Sequence, residues 1–435
     1  MVKCRTLAAR ALISICLLLV ASLAWAQTKR PMTLVDLMEV PSVADPQLGA
    51  DGRQVLFTMD KPDWKANRRV SHIWRINSDG TDLLQMTHGE KGERSPRWSP
   101  DGTTMAFLTR RGESEDQIFL LHNAGGEARP LSKHATAVSS ISWSPDGGTI
   151  YFLASDPKTG EEKDRDQVKD DVFAFEENYK QRHLWKISVK DATEQKVSSG
   201  DFSVLDYSLS RDGRKFAFHR GPTSLSGDAD LTEVWVMDAD GGNAVQLTRN
   251  SVGEGSAELS PDNSQVLFRG AGSSLALQRD NGNLFVVPAA GGPIRLLTPD
   301  FPHDVSTGAW SKDGRTIYMV VNMGVHSELF QVDAAGGKPR QLTNGQHAVM
   351  EWSLVPALDR QIFQVDEPTR PGEIWMLSEG TGAVPTRVTN LYESLDREFK
   401  LPKQEKIHWK GADGVTVEGL LFYPLDYEPG KRYPL

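Results

Sequence analysis

A chain of 435 residues is too long for one small core, so it forms two or more domains or one large repeat architecture. Its 39% hydrophobic and 25% charged residues give the balance of a soluble globular protein. A formal net charge of −9 argues against a general nucleic-acid binder.

Residues 1–26 read as a signal peptide. Lys3, Arg5 and Arg10 make a positive start, 11–23 is an apolar run of about 13 residues, and Ala24-Trp25-Ala26 offers a small-residue cleavage site. The run is shorter than the roughly 20 residues of a spanning helix, so no membrane attachment is expected after cleavage. Both cysteines, Cys4 and Cys16, lie in this segment, and Ile15 is too large for a lipoprotein cleavage site. The mature chain then has no thiol chemistry. Such an exported chain suits a bacterial periplasm or exterior. Residues 27–42 read as an N-terminal arm. Within it, Leu34, Leu37 and Met38 recur at the spacing of a short amphipathic helix.

A pentad then repeats: Trp98-Ser99-Pro100-Asp101-Gly102, Trp143-Ser144-Pro145-Asp146-Gly147, and looser copies around Asp51, Asp212, Asp262 and Asp313. The spacings of these aspartates are 50, 45, 66, 50 and 51 residues. Proline fits the second position of a type I turn, aspartate bonds nearby backbone, and glycine accepts the exit conformation. The pentad is therefore a strand–turn–strand joint, and its aspartates are backbone-bonding rather than calcium ligands. Each repeat continues with a second hairpin, such as Gln117-Ile118-Phe119-Leu120-Leu121, and closes on Leu or Met followed by Thr or Ser, as in Leu131-Ser132 and Leu342-Thr343. Four strands per unit at a period near 50 is the pattern of a β-propeller blade. A degraded seventh unit runs to Thr389, giving an all-β, seven-bladed propeller over 43–390. Phe107, Phe119, Trp185 and Trp235 are expected to pack between blades.

The third unit is the long one, and 156–182 is an insertion with nine acidic and six basic side chains. It reads as a solvated loop, or as a loop that projects from one face to meet a substrate or a neighbouring domain. Residues 391–405 read as a polar linker. From 406 the chain reads strand, turn, strand, through Ile407-His408-Trp409, Asp413-Gly414 and Val417-Glu418-Gly419-Leu420-Leu421. It then runs to Lys431-Arg432-Tyr433-Pro434-Leu435.

This combination resembles the prolyl oligopeptidase family of serine peptidases, in its acylaminoacyl-peptidase and dipeptidyl-peptidase-like branches. The pentad repeats also occur in TolB-type periplasmic propellers, so they are the less specific part; the 407–435 segment resembles the family's entry into an α/β-hydrolase domain. The resemblance implies a propeller that caps a hydrolase and filters peptide substrates by size, with the Ser-Asp-His triad in the hydrolase. The 435 residues contain no G-x-S-x-G elbow, so no catalytic residue is assigned, and 406–435 is expected to be the start of a hydrolase domain that is missing here. In dipeptidyl peptidases a glutamate pair on a propeller insertion holds the substrate's amino terminus. By that resemblance Glu176 and Glu177 are the candidate substrate-binding residues. No metal site and no cofactor are expected, since the histidines lack metal-like spacing and no Walker or dinucleotide fingerprint is present. The other reading is a non-enzymatic TolB-like propeller that binds protein partners.

Overall fold

The computed structural model describes residues 28–112, 115–170, 172, 176, 179–250, 252–271, 281–378 and 383–434. The expected signal peptide lies outside the described residues. The rest is dominated by strands, with seven four-stranded antiparallel sheets covering 42–85, 93–130, 138–196, 203–246, 254–296, 304–341 and 348–387. These are blades 1 to 7, and in every blade the four strands are consecutive in sequence.

The pentads form the first turn of their blades. Ser99 Oγ donates to Asp101 Oδ1 at 2.6 Å and accepts the Thr104 N–H at 3.0 Å. The same carboxylate oxygen takes the Thr103 N–H at 3.0 Å. The Ser99 hydroxyl bond, with the Thr103 N–H, holds the Asp101 carboxyl below the ordinary carboxylate range. The serine-to-aspartate bond recurs in blades 3, 4, 5 and 6 at 2.5, 2.7, 2.6 and 2.9 Å. Gly102 sits at φ 68°, where a side chain is strained, which accounts for the glycine that ends the motif.

The Thr or Ser that closes each repeat has an equally definite job. Its hydroxyl accepts a backbone N–H from the blade's third strand: Ile118 to Ser132 at 2.9 Å, Leu184 to Ser198 at 2.9 Å, Leu329 to Thr343 at 2.9 Å and Ile374 to Thr389 at 2.8 Å. It donates in turn to a buried polar side chain, as Thr343 does to Glu328 at 2.6 Å. Thr343→Val keeps the shape and strands both partners, so it is expected to cost about 1–3 kcal/mol in urea unfolding. A loss below about 0.5 kcal/mol would show that the staple contributes nothing.

The continuous apolar second strands follow from burial of both blade faces. Side chains alternate along a strand. Met105 and Phe107 therefore enter one apolar cluster with Leu56 and Ile73 of blade 1. Ala106 and Leu108 enter the next, with Ile150 and Phe152 of blade 3. The expected inter-blade role of Phe107, Phe119, Trp185 and Trp235 is borne out by these and the blade 3–4 cluster. Blade 7 meets blade 1 through Val43, Phe57, Ile362, Ile374 and Tyr392. Among the described residues, no strand is exchanged at this joint. Instead Tyr392 Oη donates to Pro41 O at 3.0 Å, the Asp45 N–H donates to Glu351 Oε2 at 2.5 Å, and Ser353 Oγ donates to Pro46 O at 3.2 Å.

The flanking segments differ from their sequence reading. A helix does form, at Leu34–Glu39, capped by a reciprocal Thr33–Asp36 pair. Its Leu34, Leu37 and Met38 nevertheless remain 73%, 57% and 43% exposed. Six residues make too little of a turn count to bury a stripe, and the arm is held by its ends. Arg30–Pro31 pair in parallel with Phe399–Lys400. The segment read as a linker thus holds the helix Glu393–Glu398 and this short strand.

Candidate functional site

Successive strands in a blade run in opposite directions, so the ring has two unlike ends. The pentad turns gather at one, the turn end. The loops between second and third strands, the links between blades, and both flanking segments gather at the other, the connection end. Every first strand is interrupted by a bulge in its pairing with the second. Bulges re-aim backbone and side chains, here along the first strands that meet one another from blade to blade.

At the turn end, Arg211 replaces the proline of the blade 4 pentad and reaches past blade 5. Its guanidinium donates to the carbonyls of Trp310 at 2.6 Å and Ser311 at 2.9 Å in blade 6. It also lies 3.5 Å from Glu258 Oε1 in blade 5. Glu258 Oε2 accepts the Trp310 N–H at 3.1 Å. Burial pushes the Glu258 carboxyl up to about 7 against the pull of Arg211 and that N–H. The Lys312 N–H donates to Asp359 at 2.5 Å, and Arg360 donates to Gly52 O at 3.3 Å. A run of polar contacts therefore joins blades 4, 5, 6, 7 and 1. The sequence signal for this was the loss of proline at 211.

At the connection end three features converge. The first is the blade 3 insertion, which carries a helix at Gly160–Gln167 with a Thr159–Glu162 capping box. Lys180 pairs with Glu162 at 2.6 Å, and Gln181 donates to Asp201 at 3.0 Å and to Pro222 O at 2.9 Å. The insertion is thereby fastened to blade 4. Glu176 lies in an exposed turn of it, at φ 61°. Glu177, Phe173 and Phe175 lie outside the described residues.

The second is a hairpin of Gln404–Lys410 with Thr416–Phe422, the strand–turn–strand expected there. It rests on the loops of blades 6 and 7. Gln404 Nε2 donates to Pro368 O at 3.2 Å, and Glu418 lies so close to Gly324 that a Cβ there would come within 2.1 Å of its Oε2. Its Trp409, Leu420 and Phe422 are 48%, 44% and 55% exposed.

The third is a cleft of about 680 Å³ between blades 4 and 5, walled by Asp206, His219, Asp230, Thr232, Glu254 and Arg269. Asp206 and His219 are cross-strand partners, with Nδ1 and Oδ1 in a short hydrogen bond. Burial acts to raise the Asp206 carboxyl, but His219 and nearby Arg182 outweigh it and leave it below the ordinary range. His219 Nε2 is buried and has no hydrogen-bond partner among the described residues. Glu254 accepts from Thr248 Oγ1 at 2.7 Å and Asn250 Nδ2 at 2.6 Å. Burial, reinforced by Glu233, raises its carboxyl. Sequence reading missed this group. Its members are spread over separate strands and loops, and only an aspartate inside a first strand hinted at it. Among the described residues, no group of three or more His, Cys, Asp or Glu could hold a metal ion. Nor is any described helix long and apolar enough to cross a membrane.

Fold and site together define a seven-bladed β-propeller of consecutive-strand blades with a hairpin seated on its connection end. No family model matches the chain. It is similar to the uncharacterized peptidase YuxL of Bacillus subtilis, 26% identical over 94% of this chain and 66% of that protein. It is also similar to dipeptidyl-peptidase 5 of Porphyromonas gingivalis, 24% identical over 91% of this chain and 61% of that protein. The chain thus spans slightly under two thirds of the length of these curated relatives. In fold it resembles the acylaminoacyl peptidase of Pyrococcus horikoshii with a TM-score of 0.69 at 15% identity, covering 94% of this chain and 60% of that one. These similarities to two peptidases, and the shared propeller fold, support the resemblance to the propeller portion of prolyl oligopeptidase family peptidases.

Proposed function

We propose that this propeller gates the active site of an exported bacterial serine peptidase that hydrolyses peptide bonds in short peptides, acting in the periplasm or outside the cell. The observation that carries the reading is the 404–422 hairpin. It sits on the connection end with Trp409, Leu420 and Phe422 facing outward, where the first strands of an α/β-hydrolase domain would meet their sheet. A TolB-type propeller has no reason to carry such a segment. Peptides are then the substrates, and the hydrolase is the partner of this end of the ring. Glu176 and Glu177, on the insertion at the same end, are the proposed anchors for a substrate's amino terminus, since carboxylates near a cationic amine make strong charge-assisted bonds.

The test uses the polypeptide encoded together with its continuation beyond codon 435. It should cleave chromogenic dipeptides, label with a serine-directed fluorophosphonate, and leave casein, a full-length protein, intact. The 435-residue chain alone should do none of these, for want of a nucleophile. Cleavage of casein as fast as of dipeptides would remove the gating role. Glu176→Gln and Glu177→Gln should lower kcat/KM on free-amine substrates about tenfold and leave N-blocked ones unchanged. Equal effects on both classes would return the pair to a solvated loop.

A further inference from the structure

We propose that Arg220, at the connection end of the joint between blades 3 and 4, is a binding site for a carboxylate. Its guanidinium lies 3.8 Å from the centre of the Phe202 ring and 4.5 Å from that of Trp235. Both rings pack against the apolar cluster between blades 3 and 4. Their positions are set by the fold. Trp235 pairs across the strands with Phe218, two residues before Arg220. Phe202 stands edge-on to His183, with ring centres 5.6 Å apart. Its ring folds back so far that a Cβ on Gly200 would come within 2.9 Å of it, and Gly200 sits at φ 131°, where a side chain is strained.

Stacking covers the faces of a guanidinium and leaves its N–H fork, which lies in the plane, open to a planar anion. Elsewhere in this chain a partly buried arginine fills that fork. Arg97 donates to Asp45 Oδ2 at 2.8 Å, and Arg182 donates to the carbonyls of Val204 at 2.9 Å and Leu205 at 2.5 Å. Arg220 makes no hydrogen bond and no ion pair among the described residues. The carboxylates of the neighbouring segments are directed elsewhere. Glu233, its cross-strand partner, accepts the Asn250 N–H at 2.6 Å. Asp201, next to Phe202, accepts from Gln181 Nε2 at 3.0 Å. Asp206 is held by His219 and by the charge of Arg182. Partial burial without an anion pushes the Arg220 guanidinium below its ordinary value, and an entering carboxylate supplies the counter-charge. One guanidinium between two apolar rings balances one negative charge, which suits a carboxylate and leaves a phosphate dianion under-neutralised.

A peptide offers that group in two places, its C-terminal carboxylate and the side chain of an aspartate or glutamate. The peptide context rests on the proposed function, but the carboxylate site belongs to the 435-residue chain itself. Its test involves no catalysis, so it reads the site even if the longer polypeptide proves not to be a peptidase. The chain carrying isotope-labelled arginine is titrated with acetyl-leucyl-glycine, with Nα-acetyl-glutamate α-methylamide and with the neutral acetyl-leucyl-glycinamide. The first two separate the sources. The Arg220 Nε–Hε resonance, assigned by its loss in Arg220→Lys, should move with at least one carboxylate in the millimolar range and stay in place with the amide. Arg220→Lys keeps the charge and loses the fork. By calorimetry it should weaken the carboxylate about tenfold, with the far-ultraviolet dichroism unchanged. Binding of the amide as tightly as of the carboxylates, no binding of either carboxylate, or binding indifferent to Arg220→Lys would each overturn the proposal.

Discussion

Arg211→Ala should lower the unfolding free energy by about 3–5 kcal/mol at pH 8, and by clearly less at pH 5. At pH 8 the change removes the guanidinium that lies 3.5 Å from a carboxylate with its Oε2 on a backbone N–H, and leaves the Glu258 charge buried without a cation. At pH 5 Glu258 holds its proton, so only the bonds to the Trp310 and Ser311 carbonyls are lost. The unaltered protein already carries part of this slope. Glu258 titrates at about 7 in the folded state against an ordinary value near 4.5. A raised folded value means the folded state binds the extra proton between those limits. The stability it supplies is complete below about pH 4.5 and is lost as the pH rises through 7. Urea unfolding across pH 4 to 9 checks this. Glu258→Gln should flatten the profile over that window, and a slope that survives the change would place its origin elsewhere.

Tyr392→Ala is the second large effect, about 3–5 kcal/mol, because a 1%-exposed aromatic at the joint of blades 7 and 1 would leave a cavity. Tyr392→Phe keeps the ring and loses only the bond to Pro41 O, at a cost of about 1 kcal/mol. The location matters more than the size. Hydrogen exchange in Tyr392→Ala should accelerate in blades 1 and 7 while blades 3, 4 and 5 keep most of their protection. Uniform acceleration around the ring would show that the joint is not where the structure opens.

The repeating features were legible because each is local. The pentad declares its turn through residues no more than five apart, and Ser99, Asp101 and Gly102 do in the structure what their chemistry predicts. The closing Thr or Ser was visible as a repeat, but its partner, fourteen positions back in Ile118 or Leu329, was not. Features that depend on distant pieces of chain escaped the reading. Arg30–Pro31 and Phe399–Lys400 form a ladder too short to carry any period. Arg211 looked like a decayed copy of a turn, although its departure from proline is what ties three blades. The glutamates singled out in the insertion were chosen by resemblance. Glu176 is an exposed turn residue, whereas the titratable cluster at the same end, Asp206, His219 and Glu254, is held by the blades themselves.

That every blade is wound from one uninterrupted stretch of sequence has a consequence for how the molecule is made. Most pairings join residues close in the chain, so a blade completes its hydrogen bonding as soon as its own stretch, about 40 residues or, in blade 3, about 60, has emerged from the ribosome. Each new blade then finds its neighbour already in place and lays one more apolar face against it. Only the last event is non-local: blade 7 must find blade 1, and Phe399–Lys400 must find Arg30–Pro31 across nearly the whole length of the chain. Assembly is thus a sequential stacking that ends in a single slow encounter, and until that encounter an almost finished arc exposes two apolar faces at once.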